Sequence, residues 1–245
     1  MDPREYEIMF HAEDGHWWYR GMESITRALL NRWLPTNSTH RILDAGCGTG
    51  GAMTGFLADY GQVTGMDLYP AALAFCRKRH AQHIACASIL DLPLDSASFD
   101  VVTCFDVLYE RGVIDELKAL REFSRVLLPH GWLFLRLPAY DWLRGKHDEQ
   151  VHTHRRYTKG LVRELLEKSG FAVEHITYVN TILFPLAVVK RVGEKFLPAR
   201  EIQSDLTLDT TVYNRIFERL LAGEAFWASR ISLPYGLSVM AVARK

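Results

Sequence analysis

Hydrophobic and polar residues in the first half of the chain alternate between short apolar runs and longer helical patterns. Between Arg41 and about Pro138 the short runs predict strands, and the amphipathic stretches between them predict helices. The predicted strands are Arg41–Leu43, Gln62–Met66, His83–Ala87, Val101–Cys104 and Trp132–Leu137. The predicted helices are Gly51–Tyr60, Pro70–Ala81 and Asp115–Leu128, the last closed by Pro129-His130-Gly131. This alternation predicts an α/β doubly wound core around a parallel sheet.

Further elements are predicted on both sides of this core. His16–Trp33 carries apolar residues at mostly helical spacing, which predicts a helix over the sheet edge or a ligand cleft. A helix from Lys159 to Lys168, a strand Phe171–Val179 and a last strand Leu237–Ala243 follow the core. Residues 180–232 are too long for a loop and too patterned for disorder, so we predict a helical insertion within a single domain, 1–245.

Composition narrows the classes of function. Hydrophobic residues make up 48% of the chain and charged residues 24%, with 29 basic and 29 acidic side chains. A net charge of zero gives no field that would recruit nucleic acid. The start of the chain lacks the plan of a signal peptide, and no apolar stretch reaches about 18 residues, so we expect a cytoplasmic protein without a membrane span. Four cysteines without a Cys-x-x-Cys pair indicate neither a zinc site nor disulfides.

The segment Asp44-Ala45-Gly46-Cys47-Gly48-Thr49-Gly50 lies between a predicted strand and a predicted helix. Glycines there let the backbone approach a ligand, and the start of a helix offers free N–H donors. Such a loop binds dinucleotides as well as S-adenosylmethionine (SAM). Asp67, about 20 residues beyond Gly46, discriminates little, because nucleotide dehydrogenases also place an acidic residue there.

Three details favour SAM. The loop reads Gly-x-Gly-x-Gly without the wider dinucleotide spacing, Asp44 ends the strand before it, and Leu92-Pro93-Leu94 precedes Phe99-Asp100-Val101-Val102. With these motifs the sequence resembles the class I SAM-dependent methyltransferases. From about residue 132 to its end it is similar to a bacterial, methyltransferase type 11-like branch. The resemblance implies SAM as cofactor and a Rossmann-like seven-stranded sheet, mostly parallel with an antiparallel last strand, plus N-terminal helices and the helical insertion.

The resemblance also implies site residues. Gly46, Gly48 and Gly50 would line the methionine end of SAM, and Asp67 would accept from the ribose hydroxyls. The expected cofactor-binding residues are Tyr19, Arg20, Asp44, Gly46, Cys47, Gly48, Gly50, Asp67, Leu68, Ser88, Ile89 and Phe105. Ser88 stands where an aspartate often contacts the adenine amine, and Glu110 stands where many relatives carry a histidine. On this resemblance residues 1–40 form a helical lid, 41–138 the SAM-binding core and 139–160 a substrate loop.

Titratable and cationic side chains are dense between Leu143 and Tyr157, after the fifth strand, where open α/β sheets place ligands. Histidine suits a general base, so His152 is the first candidate, His154 is a further one, and Asp148 would orient His152. Arginines at this edge would hold an anionic group. The expected substrate-binding residues are Asp106, Tyr109, His147, Arg155, Arg156 and Tyr157. In a second interpretation the loop is solvated and its charges cap the helix beginning near Thr158.

Two further segments admit alternatives. In His16-Trp17-Trp18-Tyr19-Arg20 the aromatic rings would attract a cationic sulfonium and Arg20 would pair with the methionine carboxylate, or the tryptophans simply bury area. The apolar run from Ile182 to Val189, followed by Lys190-Arg191, would wall a substrate pocket, pair two subunits, touch a membrane surface, or pack the insertion.

The sequence therefore predicts an enzyme that moves a methyl group from SAM to oxygen, or with less support nitrogen, of a small anionic or lipid-linked molecule. A histidine base favours oxygen, because an unprotonated amine needs none. We expect a monomer or homodimer, no metal and no nucleic-acid partner, with peripheral membrane contact left open. The competing hypothesis is a non-catalytic subunit with the same fold that binds only the cofactor or a partner.

Overall fold

One seven-stranded sheet organises the protein, with strand order β3-β2-β1-β4-β5-β7-β6. This computed structural model describes residues 3–145, 148, 153–196 and 211–245. The strands are β1 His40–Ala45, β2 Gly61–Asp67, β3 Ile84–Cys86, β4 Phe99–Phe105, β5 Leu127–Pro138, β6 Ala172–Val179 and β7 Ser238–Arg244. Only β7 runs against the others, between β5 and β6. The predicted Rossmann-like sheet with an antiparallel last strand is confirmed.

Helices cover both faces of the sheet and its carboxyl edge. They are α1 Pro3–Glu13, α2 Trp17–Trp33, α3 Gly51–Thr54, α4 Pro70–Lys78, α5 Glu116–Val126, α6 Lys159–Lys168, α7 Phe184–Phe196 and α8 Thr211–Ala228, with 3-10 turns at Phe56–Tyr60 and Asp141–Leu143. The predicted insertion thus contains α7 and α8. Within the described part of the chain, none of the helices is long and apolar enough to cross a membrane.

Two predicted helix bounds were wrong. The helix predicted over Gly51–Tyr60 is divided at Gly55, whose φ of −94° and ψ of −115° are not helical. The break turns Phe56 and Tyr60 into the core beneath the sheet. The helix predicted to Leu128 ends at Val126, because Leu127 already pairs with Phe99 of β4 in the sheet. The Pro129-His130-Gly131 segment therefore lies within the strand.

Two apolar cores, one on each face, hold the layers together. In one core α5 and α6 pack against the sheet. The other core contains α2, α8 and the 3-10 turn that follows α3. Helices α2 and α8 approach closely at Gly21, where a Cβ would lie 2.5 Å from Leu221 Cδ1. The carboxyl ends of the parallel strands share one edge of the sheet, where open α/β sheets bind their ligands. Helices α1, α2, α7 and α8 surround that edge.

Candidate active site

The glycine loop after β1 adopts a conformation that side chains disfavour. Gly46, Gly48 and Gly50 have φ values of 88°, 55° and 85°. A Cβ on Gly46 would overlap the methyl groups of Val107, and one on Gly48 would lie 2.7 Å from Met9 Cε. The glycines therefore allow the loop to lie between the sheet edge and the helix above it, and they leave its backbone open to a ligand.

Two buried carboxylates fix this loop. Asp44 Oδ1 accepts from Thr103 Oγ1 at 2.8 Å, and burial raises the pKa of Asp44 to about 6. Asp67 accepts from Gly48 N at 3.0 Å and from Tyr69 N at 2.9 Å. Burial also raises the pKa of Asp67. An ionised carboxylate here is costly alone, so both acids favour a cationic or hydroxyl-bearing ligand.

A cavity of about 780 Å³ extends from the glycine loop across the carboxyl edge of the sheet. This volume lies within the range of about 300–1,000 Å³ that is usual for small-molecule sites. Part of its wall is formed by loop residues and by acids, among them Asp44, Gly46, Cys47, Gly48, Asp67 and Glu110. Apolar side chains form another part, which we call the apolar arm: Leu143, Leu183, Leu186, Ala187 and Phe217.

Helix α1 covers the glycine loop. Met9 lies over Gly48, and Glu13 Oε2 accepts from Thr49 Oγ1 at 2.5 Å. Arg79 also donates to Glu13, at 3.2 Å. Burial raises the pKa of Glu13 to about 7, against the lowering effects of Thr49 and Arg79. The first helix is thereby tied to the loop by polar contacts that the sequence did not indicate.

An arginine lies in the wall of the cavity. Arg136, in β5, donates from Nε to Asp106 Oδ2 at 2.6 Å. Its guanidinium carbon lies 5.2 Å from the ring centres of both Trp18 and Phe105. Sequence analysis missed Arg136. The available clue was a single charge inside the apolar run Trp132-Leu133-Phe134-Leu135-Arg136-Leu137.

Most of the expected cofactor residues meet at this cavity, although their roles stay predictions. Tyr19, Asp44, Gly46, Cys47, Gly48, Asp67 and Phe105 line it. Gly50, Leu68, Ser88 and Ile89 do not, and Ile89 is buried in the core beside the sheet. Arg20 does not line the cavity either, and its predicted contact with the methionine carboxylate stays a prediction. Its Nε lies 3.0 Å from Glu218 Oε1 on α8, because α2 packs against that helix.

The predicted substrate loop is held mainly by its own ion pairs. Both Asp148 oxygens accept from Arg156, at 2.8 and 3.1 Å, and one also accepts from Gly145 N at 2.8 Å. Burial acts to raise the pKa of Asp148, but the bonds and charge of Arg156 outweigh it and lower that pKa. The predicted Asp148–His152 arrangement cannot be compared, because His152 and His147 lie outside the described residues.

Three other members of the loop do not line the cavity. Arg155 pairs with Glu116, and the buried Tyr157 hydroxyl donates to Glu116 Oε1 at 2.5 Å. Both side chains attach the loop to α5, and the predicted substrate contacts of Arg155 and Tyr157 stay predictions. His154 is exposed, and its backbone N donates to Tyr109 O. Asp106, Tyr109 and Arg156 do line the cavity.

Asn180 is a further residue that sequence analysis missed. It follows β6 with φ of 60°, is buried, and lines the cavity. Its Oδ1 is shielded from solvent and has no hydrogen-bond partner. No sequence motif marks it; its position depends on the strand order. Among the described residues no group of three or more His, Cys, Asp or Glu is placed to hold a metal ion.

Comparison with known proteins agrees with this geometry. A family model described as a methyltransferase domain matches residues 43–135. The malonyl-[acyl-carrier protein] O-methyltransferase of Serratia marcescens is 30% identical over 175 residues, which cover 68% of each chain. The ubiquinone biosynthesis O-methyltransferase of Idiomarina loihiensis is 32% identical over 216 residues, 75% of this chain and 84% of the relative. This chain belongs to the SAM-dependent methyltransferases.

The fold of this methyltransferase is also found in solved structures. A SAM-dependent methyltransferase from Mesorhizobium loti superimposes with a TM-score of 0.58 at 20% identity, covering 88% of this chain and 95% of that one. SAM is the cofactor of the family, and the site fits it. The left-handed glycines provide a cradle that a Cβ would fill, and the buried acids suit ribose hydroxyls and a sulfonium.

Proposed function

We propose that this methyltransferase transfers the methyl group to an oxygen atom of a small acceptor that has an apolar part, and that is anionic or lipid-linked. The observation that carries the proposal is the continuity of the cavity. A single space leads from the glycine loop to the apolar arm lined by Leu143, Leu183, Leu186, Ala187 and Phe217. An acceptor that fills the arm would present its polar end near Phe105 and Asp106.

The names of the relatives support oxygen as the methylated atom. The Serratia and Idiomarina enzymes are both named as O-methyltransferases, one for malonyl-[acyl-carrier protein] and one in ubiquinone biosynthesis. Those acceptors belong to the relatives. For this chain they support the class of reaction, and the apolar arm supports an acceptor with a hydrophobic part.

Polar groups at the arm suit an oxygen-bearing acceptor. Asn180 lies in the cavity wall, and its Oδ1 is buried without a hydrogen-bond partner, which costs about 1–3 kcal/mol. Arg156 and Arg191 also line this region. Asp148 neutralises the charge of Arg156. Arg156 therefore contributes hydrogen bonds to an acceptor, and little net positive charge.

The residues of the chain have separate tasks in the proposed reaction. SAM supplies the electrophilic methyl group when bound. The glycine loop and Asp67 hold the cofactor, the apolar arm orients the acceptor, and the Arg136–Asp106 pair keeps the edge between them rigid. Removal of the acceptor proton is assigned to His152, as the sequence predicts.

The test is turnover with SAM carrying a labelled methyl group. The acceptors are carboxylic acids and phenols with and without a long alkyl chain, each beside an amine of the same skeleton. We expect labelled esters or ethers, with the chain raising kcat/KM by at least about tenfold. Transfer to the amines alone would overturn the proposal.

The competing hypothesis of a non-catalytic subunit is decided by the same experiment. It requires that SAM binds, with a Kd tighter than about 1 mM, while no acceptor in the series is methylated. A Leu183→Ala variant is the control for the arm. Its kcat/KM should fall for the long-chain acceptors and stay unchanged for the short ones.

We also propose that the enzyme works in the cytoplasm, where thiols stay reduced. The four cysteines are free, and Cys47 Sγ lies 3.9 Å from Cys76 Sγ without a covalent bond. In the same proposal residues 1–40 act as a cover over the cofactor, since Met9 and Glu13 of α1 contact the glycine loop.

A further inference from the structure

Helix α8 exposes an apolar stripe to solvent. Ile216, Leu220 and Trp227 lie four and seven residues apart, so they share one face of the helix. Their side chains are 49%, 36% and 56% exposed, although the opposite face of α8 is buried against α2. Ile231, just after the helix, is exposed as well. Exposed large apolar residues aligned on one helix face are unusual on a globular domain, and such a patch indicates an interaction surface.

Arginines lie directly beside this stripe. Arg215 and Arg219 each precede an apolar residue of the stripe by one position, and both are exposed. Arg230 lies 3.8 Å over the ring of Phe226, which is also exposed. The nearest acid of this helix, Glu218, is paired with Arg20. The stripe therefore combines apolar and aromatic side chains with a positive border.

Helix α7 exposes a second apolar row close to the cavity. Ile182, Leu186 and Val189 follow at spacings of four and three residues, and all three are exposed. Leu186 also lines the apolar arm of the cavity. The start of α7 is tied to α8, because Glu224 accepts from Thr181 N at 2.8 Å and from Ile182 N at 3.1 Å. The arm therefore reaches the surface beside the exposed row of α7.

We propose that the exposed rows of α7 and α8 form a docking surface for an anionic lipid bilayer. An amphipathic helix with arginine on its polar border and Trp or Phe on its apolar face lies in the plane of a membrane interface. The arginines complement anionic headgroups, each contributing about fivefold in affinity at a membrane surface. The apolar rows enter the boundary between headgroups and acyl chains.

Charge argues against a second copy of this chain as the occupant. In a two-fold symmetric dimer each patch faces itself, which would bring Arg215, Arg219 and Arg230 close to the same arginines of the partner. The two acids in the described part of α8 do not compensate them, because Glu218 is paired with Arg20 and Glu224 is buried, with its Oε2 bonded to Thr181 N and Ile182 N. A bilayer offers negative charge and an apolar interior together.

The proposed docking surface does not depend on the identity of the acceptor. Its role in delivering the acceptor to the cavity rests on the proposed function. Because Leu186 belongs both to the exposed row and to the arm, an amphipathic acceptor would pass from the membrane into the cavity without crossing water. Binding to vesicles needs neither SAM nor turnover, so failure of either proposal is visible separately.

The experiment is cosedimentation of the full chain with vesicles of phosphatidylcholine alone and with added phosphatidylglycerol. We expect binding to the anionic vesicles that weakens as salt is raised. The variant Arg215→Gln/Arg219→Gln should bind about 25-fold more weakly. Ile216→Ser/Trp227→Ser should lose binding even at low salt. SAM binding by all variants should equal that of the wild type, which shows that they fold.

Matched controls come from the other side of the molecule. Ile114 is 88% exposed and Arg121 is exposed on α5. Ile114→Ser and Arg121→Gln should bind vesicles as the wild type does. Equal binding to neutral and anionic vesicles, or equal binding by the stripe variants, would overturn the proposal. Light scattering without vesicles would also overturn the proposal if it showed a dimer for the wild type and a monomer for the stripe variants.

Discussion

Arg136 and Asp106 are joined twice across neighbouring strands of the sheet. Arg136 Nε donates to Asp106 Oδ2 at 2.6 Å, and Asp106 N donates to Arg136 O at 2.9 Å. Asp106 has φ of 58°, a conformation that aspartate and asparagine tolerate better than most residues. Both side chains line the cavity, so the pair fixes part of its wall.

Asp106→Asn should test this pair, because asparagine keeps the shape and the backbone preference but removes the charge. Arg136 is largely buried, so losing its counter-charge should lower the free energy of unfolding by about 1–3 kcal/mol and reduce turnover. Urea unfolding measures the free energy of unfolding, and labelled methyl transfer measures turnover. Glu164→Gln, at an exposed ion pair on α6, should change neither. Wild-type stability and turnover of D106N would show that the pair contributes to neither.

Gly46→Ala should destabilise the glycine loop in two separable ways. Its left-handed backbone costs an alanine about 1–2 kcal/mol, and overlap of the new Cβ with Val107 adds about 1–3 kcal/mol. SAM binding, measured by calorimetry, should be lost. In Gly46→Ala/Val107→Ala most of the overlap contribution should disappear, because only the Val107 Cβ, 3.0 Å from the new Cβ, remains. The backbone contribution stays, so the two substitutions should be non-additive in unfolding free energy.

Gly160→Ala is the control for that series. Gly160 lies in α6 without a left-handed backbone, and the nearest heavy atom to its Cβ position is Thr158 Oγ1 at 4.0 Å. Alanine there should raise the free energy of unfolding by about 0.5–1 kcal/mol, since it lowers the entropy of the unfolded chain. Equal destabilisation at both positions would contradict the assigned causes.

Tyr157→Phe should affect stability and leave acceptor binding unchanged. The change removes a buried hydroxyl from Glu116 and should cost about 1–3 kcal/mol of unfolding free energy. KM for the acceptor should stay at the wild-type value, because Tyr157 does not line the cavity. Tyr235→Phe, at an exposed tyrosine, is the matched control and should change neither. A large rise in KM for Y157F would show that Tyr157 contacts the substrate, as its sequence position predicts.

SAM affinity should rise with pH through about 7. Burial raises the pKa of Glu110 to about 7, and the nearby Asp67 adds to this effect. Below that pH the Glu110 carboxyl is neutral, and above it the carboxylate attracts the cationic sulfonium. Glu110→Gln should therefore flatten the pH profile of Kd, although Glu13 and Asp44 contribute part of the slope.

S-adenosylhomocysteine is the control ligand, because it lacks the sulfonium charge. Its affinity for the wild type should depend much less on pH over the same range. A profile for SAM that falls as pH rises, or one that E110Q leaves unaltered, would show that Glu110 does not face the cofactor. Calorimetry between pH 6 and pH 8 provides both profiles, within the window set by the pKa of about 7.

His152→Ala should lower kcat on a hydroxyl acceptor by about 10²- to 10⁴-fold with little change in KM, as expected for loss of a general base. His154→Ala is the matched control, because His154 is exposed and outside the cavity lining, and it should keep wild-type kcat. Transfer to an acceptor that is already deprotonated should be insensitive to both changes. Full turnover by H152A would assign proton removal to another group.

Local patterns were sufficient for the α/β core and the cofactor loop, and the resemblance to the class I methyltransferases added SAM and the antiparallel last strand. Strand periodicity, the glycine spacing and Asp44 depend on neighbours in sequence, and the structure has the predicted sheet with Gly46 and Gly48 facing the cavity. Where a tertiary contact competed, the prediction failed. The helix predicted to Leu128 ends at Val126 because pairing of Leu127 with β4 outweighs helix propensity.

The partners of charged side chains were decided only by the tertiary structure. Arg20, Arg155 and Tyr157 belong to patterns typical of ligand contacts, but helices distant in sequence supply Glu218 and Glu116 to them. Arg136 and Asn180 reach the cavity because strand order brings β4, β5, β6 and β7 to one edge. Sequence by itself thus determined the fold and the cofactor. Tertiary packing decided which polar groups remain available to an acceptor, because a charge is satisfied by whatever lies within hydrogen-bond reach in space.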